Sequence, residues 1–71
     1  MPSYDVEVRR GDRILQTSTC MKLPDLDRAW RMVSELSRNW DMPGTRIVVR
    51  DDRGDVVISI GVATARKTLA A

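Results

Sequence analysis

The sequence of 71 residues contains one cysteine, Cys20, and no histidine. A single cysteine cannot close a disulfide within the chain. Without histidine, zinc sites built from cysteine and histidine are excluded, and so are Cys-His and Ser-His-Asp catalytic arrangements within the chain. The sequence also lacks a glycine-rich phosphate loop and a Gly-Lys-Ser/Thr signature. We therefore expect a protein that is not an enzyme and has no cofactor or metal.

Long apolar runs are missing as well. No stretch approaches the roughly 18 residues that a membrane span needs. The first residues have neither the basic region nor the apolar segment of a signal peptide, so we expect a cytoplasmic protein that does not contact membranes. The apolar fraction of 42% and the charged fraction of 31% are those of an ordinary globular domain. A core of this size stabilises a chain by only roughly 3–5 kcal/mol, so a homodimer is a reasonable expectation.

The charge is nearly balanced, at +2, although ten of the twelve basic residues are arginines. The arginines are scattered, and nearly every one has an acid nearby in sequence. A phosphate-binding surface requires basic residues on one face without neutralising partners. This distribution favours a solvated surface of mixed charge.

The first third of the chain predicts a hairpin. Residues 3–9 alternate between apolar and charged side chains, which is the period of a strand with one buried face. Residues 10–13 supply a turn, and residues 13–20 form a second strand rich in β-branched residues. Its register stays open. Either Leu15, Thr17 and Thr19 face the core, or Ile14, Gln16, Ser18 and Cys20 do.

Residues 26–40 predict one amphipathic helix. Asp25 is a suitable N-cap, and Pro43 stops the helix near Met42. At 100° per residue, one arc about 120° wide is apolar, as expected of a helix packed on a core. The arc contains Leu26, Ala29, Trp30, Val33, Leu36, Ser37 and Trp40. Both tryptophans are thus interpreted as core residues, the alternative being an exposed pair that grips a ligand.

Residues 45–50 and 55–61 predict a second hairpin. A four-residue loop, 51–54, pairs Arg50 with Asp55 and Val49 with Val56, so that the aliphatic residues share one face. A three-residue loop mixes the faces, because a slip of one residue reverses every side chain. We therefore expect the four-residue loop. Arg50 and Asp55 then form a cross-strand ion pair.

These elements predict a two-layer α+β domain over residues 1–62, in the order β-β-α-β-β. One amphipathic helix covers a four-stranded, mainly antiparallel sheet. The strand order is not readable. Residues 63–71 lack a repeating apolar pattern and are expected to be a frayed C-terminal tail. The strand residues expected under the helix are Tyr4, Val6, Val8, Ile47, Val49, Ile58 and Ile60.

The opposite face of the sheet is the candidate interaction face. It is expected to carry charges around two central valines, and its acids on the first strand could pair with arginines across a two-fold axis. The plainer alternative is a wet sheet face with two incidental valines. Pairing of an exposed edge strand with its own copy is another route to a dimer. The interaction residues are Arg9, Arg46, Val48, Arg50, Val57 and Ser59, with Asp5 and Glu7 beside them.

Three segments together resemble a family of short bacterial proteins that is described only as a domain of unknown function. They are Met1, Pro2 and Tyr4, then Leu23–Leu26 with Ala29, and then Arg50–Val57. The resemblance covers residues 1–60 and implies the same α+β fold without implying an activity. Trp30, Trp40 and the small number of alanines in the helix depart from the pattern. A looser similarity, in the Leu-Pro-Asp-Leu segment before an amphipathic helix, is to the HicB-type antitoxin domain.

The function expected is that of a small interaction or regulatory module that works as a homodimer or binds another protein. The alternative is an antitoxin-like, nucleic-acid-associated regulator that uses Arg9, Arg46 and Arg50. Asp5 and Glu7 on the same face argue against that alternative, as does the lack of an exposed aromatic residue for base stacking. A carboxylate enzyme centred on residues 51, 52 and 55 is the third possibility, although acids are common in turns for conformational reasons.

Overall fold

The computed structural model describes residues 2–69, with the side chain of Leu69 excepted. Four strands and two helices follow one another in this range. They are β1 (Ser3–Arg10), β2 (Arg13–Lys22), α1 (Leu26–Asn39), β3 (Thr45–Arg50), β4 (Val56–Gly61) and α2 (Val62–Leu69).

The strands form one antiparallel sheet in the order β2-β1-β3-β4. Because β1 pairs antiparallel with both β2 and β3, the latter two run parallel, and α1 is the crossover between them. The expected α+β class and the four-stranded antiparallel sheet are confirmed. The order makes β1 and β3 the inner strands, and β2 and β4 the edges.

The core lies between the sheet and the helices. All seven strand residues expected under the helix belong to it, with Ile60 only partly buried. The alternation of apolar and polar residues therefore predicted β1 and β3 correctly. Both tryptophans pack against this core while staying half-buried. The indole nitrogen Nε1 of Trp40 donates a hydrogen bond of 3.0 Å to Gln16 Oε1 on β2.

Helix α1 begins as expected. The carboxylate of Asp25 accepts a hydrogen bond of 3.0 Å from the backbone N–H of Arg28 and so caps the first turn. The side chains of Ala29, Val33 and Ser37 are buried along one stripe. Ser37 satisfies its hydroxyl by donating to the carbonyl of Ser34 at 2.6 Å.

The expectation of a single helix is wrong, because residues 62–69 form α2. The predicted tail without regular structure is therefore helical over residues 63–69, and residues 70 and 71 lie outside the described range. Val62 and Ala65 are buried in the same core as α1. Arg66 also forms an ion pair with Asp41, just after α1. Two small apolar residues three apart are too weak a pattern to reveal a helix in sequence. Neither helix of the described range is long and apolar enough to cross a membrane.

Strand β2 carries two bulges. One extra residue lies in β2 opposite the start of β1, and another lies opposite its end. Cys20 lies in the first bulge and has a φ of 55°, in the left-handed region. Its backbone N–H donates a hydrogen bond of 3.0 Å to Asp5 Oδ1 on β1, which anchors the bulge.

The bulges decide the open question of the β2 register. Neither alternative holds along the whole strand, because each extra residue reverses the face of those that follow. Leu15 and Met21 pack against the core. Ile14 is 55% exposed, and Cys20 is exposed as well.

The turn between β3 and β4 differs from the prediction. The backbone N–H of Asp51 donates to the carbonyl of Asp55 at 2.9 Å, and that of Gly54 donates to the carbonyl of Asp51 at 3.0 Å. The loop therefore spans three residues, 52–54, with Gly54 at a φ of 86°. This is the common hairpin loop in which a turn ends in a left-handed glycine.

The predicted pairing of β3 with β4 is consequently wrong. Val49 lies opposite Ile58, and Arg50 lies opposite Val56, so the expected ion pair between Arg50 and Asp55 is absent from the ladder. A bulge at Val57 inserts one residue between these two pairs. That extra residue keeps Ile58 on the core side, which is how a three-residue loop avoids mixing the faces.

Candidate functional site

The open face is the side of the sheet that the two helices leave uncovered. On it, the registers join Arg9 with Arg46, Glu7 with Val48, and Val48 with Ser59. Arg50 lies diagonally across from Glu7, since its direct partner on β1 is Asp5. The structure thus brings together five of the six interaction residues expected from the sequence, namely Arg9, Arg46, Val48, Arg50 and Ser59.

Val57, the sixth, is not at the centre of this face. It lies at the bulge beside the turn and is 37% exposed. Val48 is at the centre, yet it is only 7% exposed, although no helix covers it. Its neighbours on this face are Glu7 and Ser59 on the adjacent strands and Arg46 and Arg50 on its own strand, and the aliphatic stems of arginine commonly cover apolar surface. The apolar centre expected of a dimer face is therefore not available on the open face.

Glu7 organises the charges on the open face. Its Oε2 accepts a hydrogen bond of 3.2 Å from Arg50 Nη1. Its Oε1 lies 3.2 Å from Arg9 Nη1, close enough for an ion pair but without hydrogen-bond geometry. The side chain of Glu7 is only 15% exposed. The expected pairing of the first-strand acids with arginines of a second copy therefore loses an acceptor, because Glu7 is used within its own chain.

Asp5 is also engaged within the chain, through its hydrogen bond to Cys20. The sequence pattern placed Asp5 and Glu7 together as obstacles to an anion. The structure separates their roles, since Asp5 accepts a hydrogen bond from the bulge on β2, whereas Glu7 contacts Arg9 and Arg50. Three arginines and two acids thus share the open face, and both acids are engaged within the chain. The spacing of Glu7 and Arg9, two residues apart on one strand, was the available signal for their pairing.

A shallow recess opens at one end of the open face. Its walls are Arg9 and Arg46, which lie directly opposite each other on β1 and β3. Val48 lies in it as well, and Gly11 and Gly44 border it from two separate turns. The two glycines could not be predicted as part of a site, because the turns meet only through the fold.

The two edges of the sheet differ in chemistry. Edge β2 contains both bulges and has a basic residue at each end, Arg13 and Lys22. Edge β4 has no charged residue and no proline from Val56 to Gly61. Val56 is 52% exposed there, beside the partly exposed Val57. Natural edge strands are usually kept from pairing with other chains by charged residues, proline or bulges. Strand β4 has only the one bulge next to its turn.

Asp51, one of the three acids around the second turn, has a structural role. Asp51 Oδ1 accepts hydrogen bonds of 3.0 Å from the backbone N–H groups of both Arg53 and Asp55. These bonds hold the hairpin turn in the manner usual for aspartate. Within residues 2–69 no group of three or more potential ligands has the geometry to hold a metal ion.

A scan of protein-family models and searches of curated proteins and of solved structures found no match to this chain. The resemblance to the bacterial domain family, and the looser one to the antitoxin domain, therefore stay predictions.

Proposed function

We propose that this chain is a small, non-enzymatic interaction module that forms a two-fold dimer through edge strand β4. The observation that carries the proposal is the chemistry of β4, where six uncharged residues include two exposed valines. An exposed edge offers a row of backbone N–H and C=O groups that another strand can pair with. Because β4 lacks charge, no like-charged side chains meet when two copies approach.

A second copy is the partner that fits this edge. A two-fold axis brings the same strand of both copies together in antiparallel orientation, which is the orientation of every pair in this sheet. The product is a continuous sheet of about eight strands, with one open face on each half. Burial of Val56 and Val57 at the joint would add apolar area to a core that is small for a lone domain.

The test is the mass of the purified chain by light scattering over a range of concentrations. We expect a mass twice the 8.0 kDa of the single chain at high concentration, falling towards 8.0 kDa on dilution. A mass of 8.0 kDa at every concentration up to the millimolar range would reject self-association. A higher, open-ended mass would indicate head-to-tail assembly instead of a closed two-fold pair.

A second candidate function is the binding of nucleic acid on the open face. The observation in its favour is that Arg9, Arg46 and Arg50 share this face, on which both acids, Asp5 and Glu7, are already engaged within the chain. Phosphate-backbone contacts by arginines make affinity fall steeply with salt. Fluorescence anisotropy of labelled duplex DNA and single-stranded RNA, titrated at low and physiological salt, tests it. A flat response at low salt would reject this candidate.

A further inference from the structure

We propose that the recess between Arg9 and Arg46 binds the phosphate group of a small, phosphorylated molecule. This proposal does not depend on the dimer, because the recess lies on β1 and β3 and not on the β4 edge. The ligand class is inferred from three features of the recess. They are the position of the two guanidinium groups, the way each is held, and the shape of the mouth.

The first feature is a like-charged pair in direct register. Arg9 and Arg46 are cross-strand partners on the same face. Like charges directly opposite each other on neighbouring strands destabilise a sheet. Glu7 offsets part of this repulsion, but it contacts Arg50 as well as Arg9. An anion seated between the two guanidinium groups would remove the remaining repulsion.

The second feature is that both arginines are held in place while retaining free donors. Arg46 Nη1 donates a hydrogen bond of 3.0 Å to Ser59 Oγ on β4. Arg9 Nη1 is within ion-pair distance of Glu7, at 3.2 Å. Each guanidinium carries five N–H donors, and within residues 2–69 each of these two uses a single nitrogen for protein contacts. The remaining donors match the forked geometry with which arginine binds phosphate oxygens.

The third feature is an open, fixed mouth. Gly11 and Gly44 border the recess at φ values of 62° and 79°, which are left-handed conformations that glycine adopts without strain. Apart from the atoms of the glycine and its two chain neighbours, no atom lies within 4 Å of where a side chain would begin at either position. The two turns are fastened together by Arg10, whose Nε donates to the carbonyl of Pro43 at 3.1 Å. A fixed frame lowers the entropy cost of binding.

Two other depressions fit a ligand less well. One lies between the ends of α1 and α2 and contains Arg38, Arg66 and Lys67, but Asp41 lies in it and already pairs with Arg66. The other contains Asp5, Asp51, Asp52 and Arg53, and within residues 2–69 no group of three or more potential ligands is placed to hold a metal ion. The recess at Arg9 and Arg46 is preferred because its cations are fixed by side chains outside it.

The experiment uses the full chain, labelled with nitrogen-15, and follows the arginine Nε–Hε signals by NMR. The probe is inorganic phosphate, and then pyrophosphate, titrated at constant ionic strength against sodium chloride. We expect saturable shifts of the Arg9 and Arg46 signals. Arg9→Gln and Arg46→Gln should each weaken phosphate binding about ten-fold, the value of one lost charge-assisted interaction.

Arg53→Gln is the matched control, since it removes the same charge from an exposed loop residue outside the recess. It should leave phosphate affinity unchanged. Equal losses in all three variants, or shifts that chloride reproduces, would overturn the proposal by reducing the effect to general screening. Absence of saturation up to tens of millimolar phosphate would overturn it as well.

A further arm separates a small phosphorylated molecule from a nucleic-acid backbone, which offers the same chemistry. A single-stranded oligonucleotide without a terminal phosphate is titrated against the same variants. Binding weaker than that of pyrophosphate supports the small-molecule proposal. Tighter binding that is lost in both recess variants would overturn it and assign the arginines to a polymer backbone. None of these outcomes depends on whether β4 forms a dimer.

Discussion

The two edge strands of this sheet differ in how far their exposed backbone groups can pair with a strand of another chain. Strand β2 runs for ten residues but is interrupted by two bulges and ends in basic residues. Strand β4 runs for six residues, has one bulge at its turn end, and carries no charge. An irregular edge presents its backbone groups out of step with any incoming strand, whereas a regular, uncharged edge presents them in step.

The difference shows how a small domain can prevent strand pairing at one edge of its sheet and allow it at the other. The bulges of β2 have a cost, because Cys20 adopts a left-handed conformation that side chains disfavour. Such strain persists only where the surroundings hold it, here through Asp5. Strand β4 has no bulge and no strained residue along its regular part, and it leads directly into the buried start of α2.

The largest effect is expected where β4 meets α2. Val62 is 1% exposed, so Val62→Asp would bury a carboxylate in the core. We expect a loss of about 3 kcal/mol or more in the free energy of unfolding, close to the whole stability of a domain this small. Denaturant unfolding followed by circular dichroism measures it.

The control for that substitution is Ala63→Asp, which changes the next residue along the chain, an exposed position of α2. An acid in the first turn of a helix is favourable, so this variant should be as stable as the natural chain. If both variants lose stability equally, or neither does, α2 is not anchored through Val62. The end of β4 would then not be held in place by the burial of α2.

The next effect concerns association. Val57→Lys introduces a charge into the uncharged edge, and two such charges meet across a two-fold axis. We expect the dissociation constant of the dimer to rise at least about ten-fold, the equivalent of 1.4 kcal/mol. Sedimentation over a concentration series measures it.

Ile14→Lys is the matched variant on the other edge, where an exposed aliphatic residue is likewise replaced by lysine. Its dimer should dissociate at the same concentration as that of the natural chain, because β2 is not the pairing edge. Weakening by Ile14→Lys alone would reverse the assignment of the two edges.

A smaller effect is expected at the β2 bulge. Asp5→Ala removes the acceptor of the Cys20 N–H and should lower stability by about 1 kcal/mol, the usual value of one hydrogen bond. Asp52→Ala, at an exposed turn position, should change stability by less than about 0.5 kcal/mol. Thermal unfolding of both variants at one protein concentration makes the comparison. Equal losses would show that the hydrogen bond at the bulge has no special value.

The smallest effect should be a gain. Cys20→Gly removes the strain at a φ of 55°, so we expect stability to rise by up to about 1 kcal/mol. Thr19→Gly, at the neighbouring position without positive φ, should instead lose up to about 1 kcal/mol. Chemical denaturation at fixed protein concentration measures both. A loss in Cys20→Gly as large as that in Thr19→Gly would contradict the strained bulge.

The inner part of the fold was predictable because it follows simple periods. Alternation revealed β1 and β3, and the spacing of Ala29, Val33 and Ser37 revealed α1. The edges were not predictable, since each bulge depends on a partner strand that is distant in sequence. The predicted register of β4 was wrong for the same reason. Helix α2 was missed because it has too few apolar residues to form a recognisable pattern.

The candidate site divides in the same way. The residues of the open face were predictable from alternation, since Arg9, Arg46 and Arg50 each stand next to a core residue of their strand. The recess was not, because it requires the register that sets Arg9 opposite Arg46 and the meeting of two turns. Nor does alternation reveal that Glu7 takes part in ion pairs or that Val48 is buried.

The central claim is that β4 is the pairing edge, and amide hydrogen exchange above and below the dimer dissociation constant tests it most directly. We predict that the outward-facing N–H groups of β4 exchange slowly at high concentration and rapidly on dilution. Those on the outer side of β2 should exchange at one rate throughout. Concentration-dependent protection in β2 or on the open face, with β4 unchanged, would contradict the account.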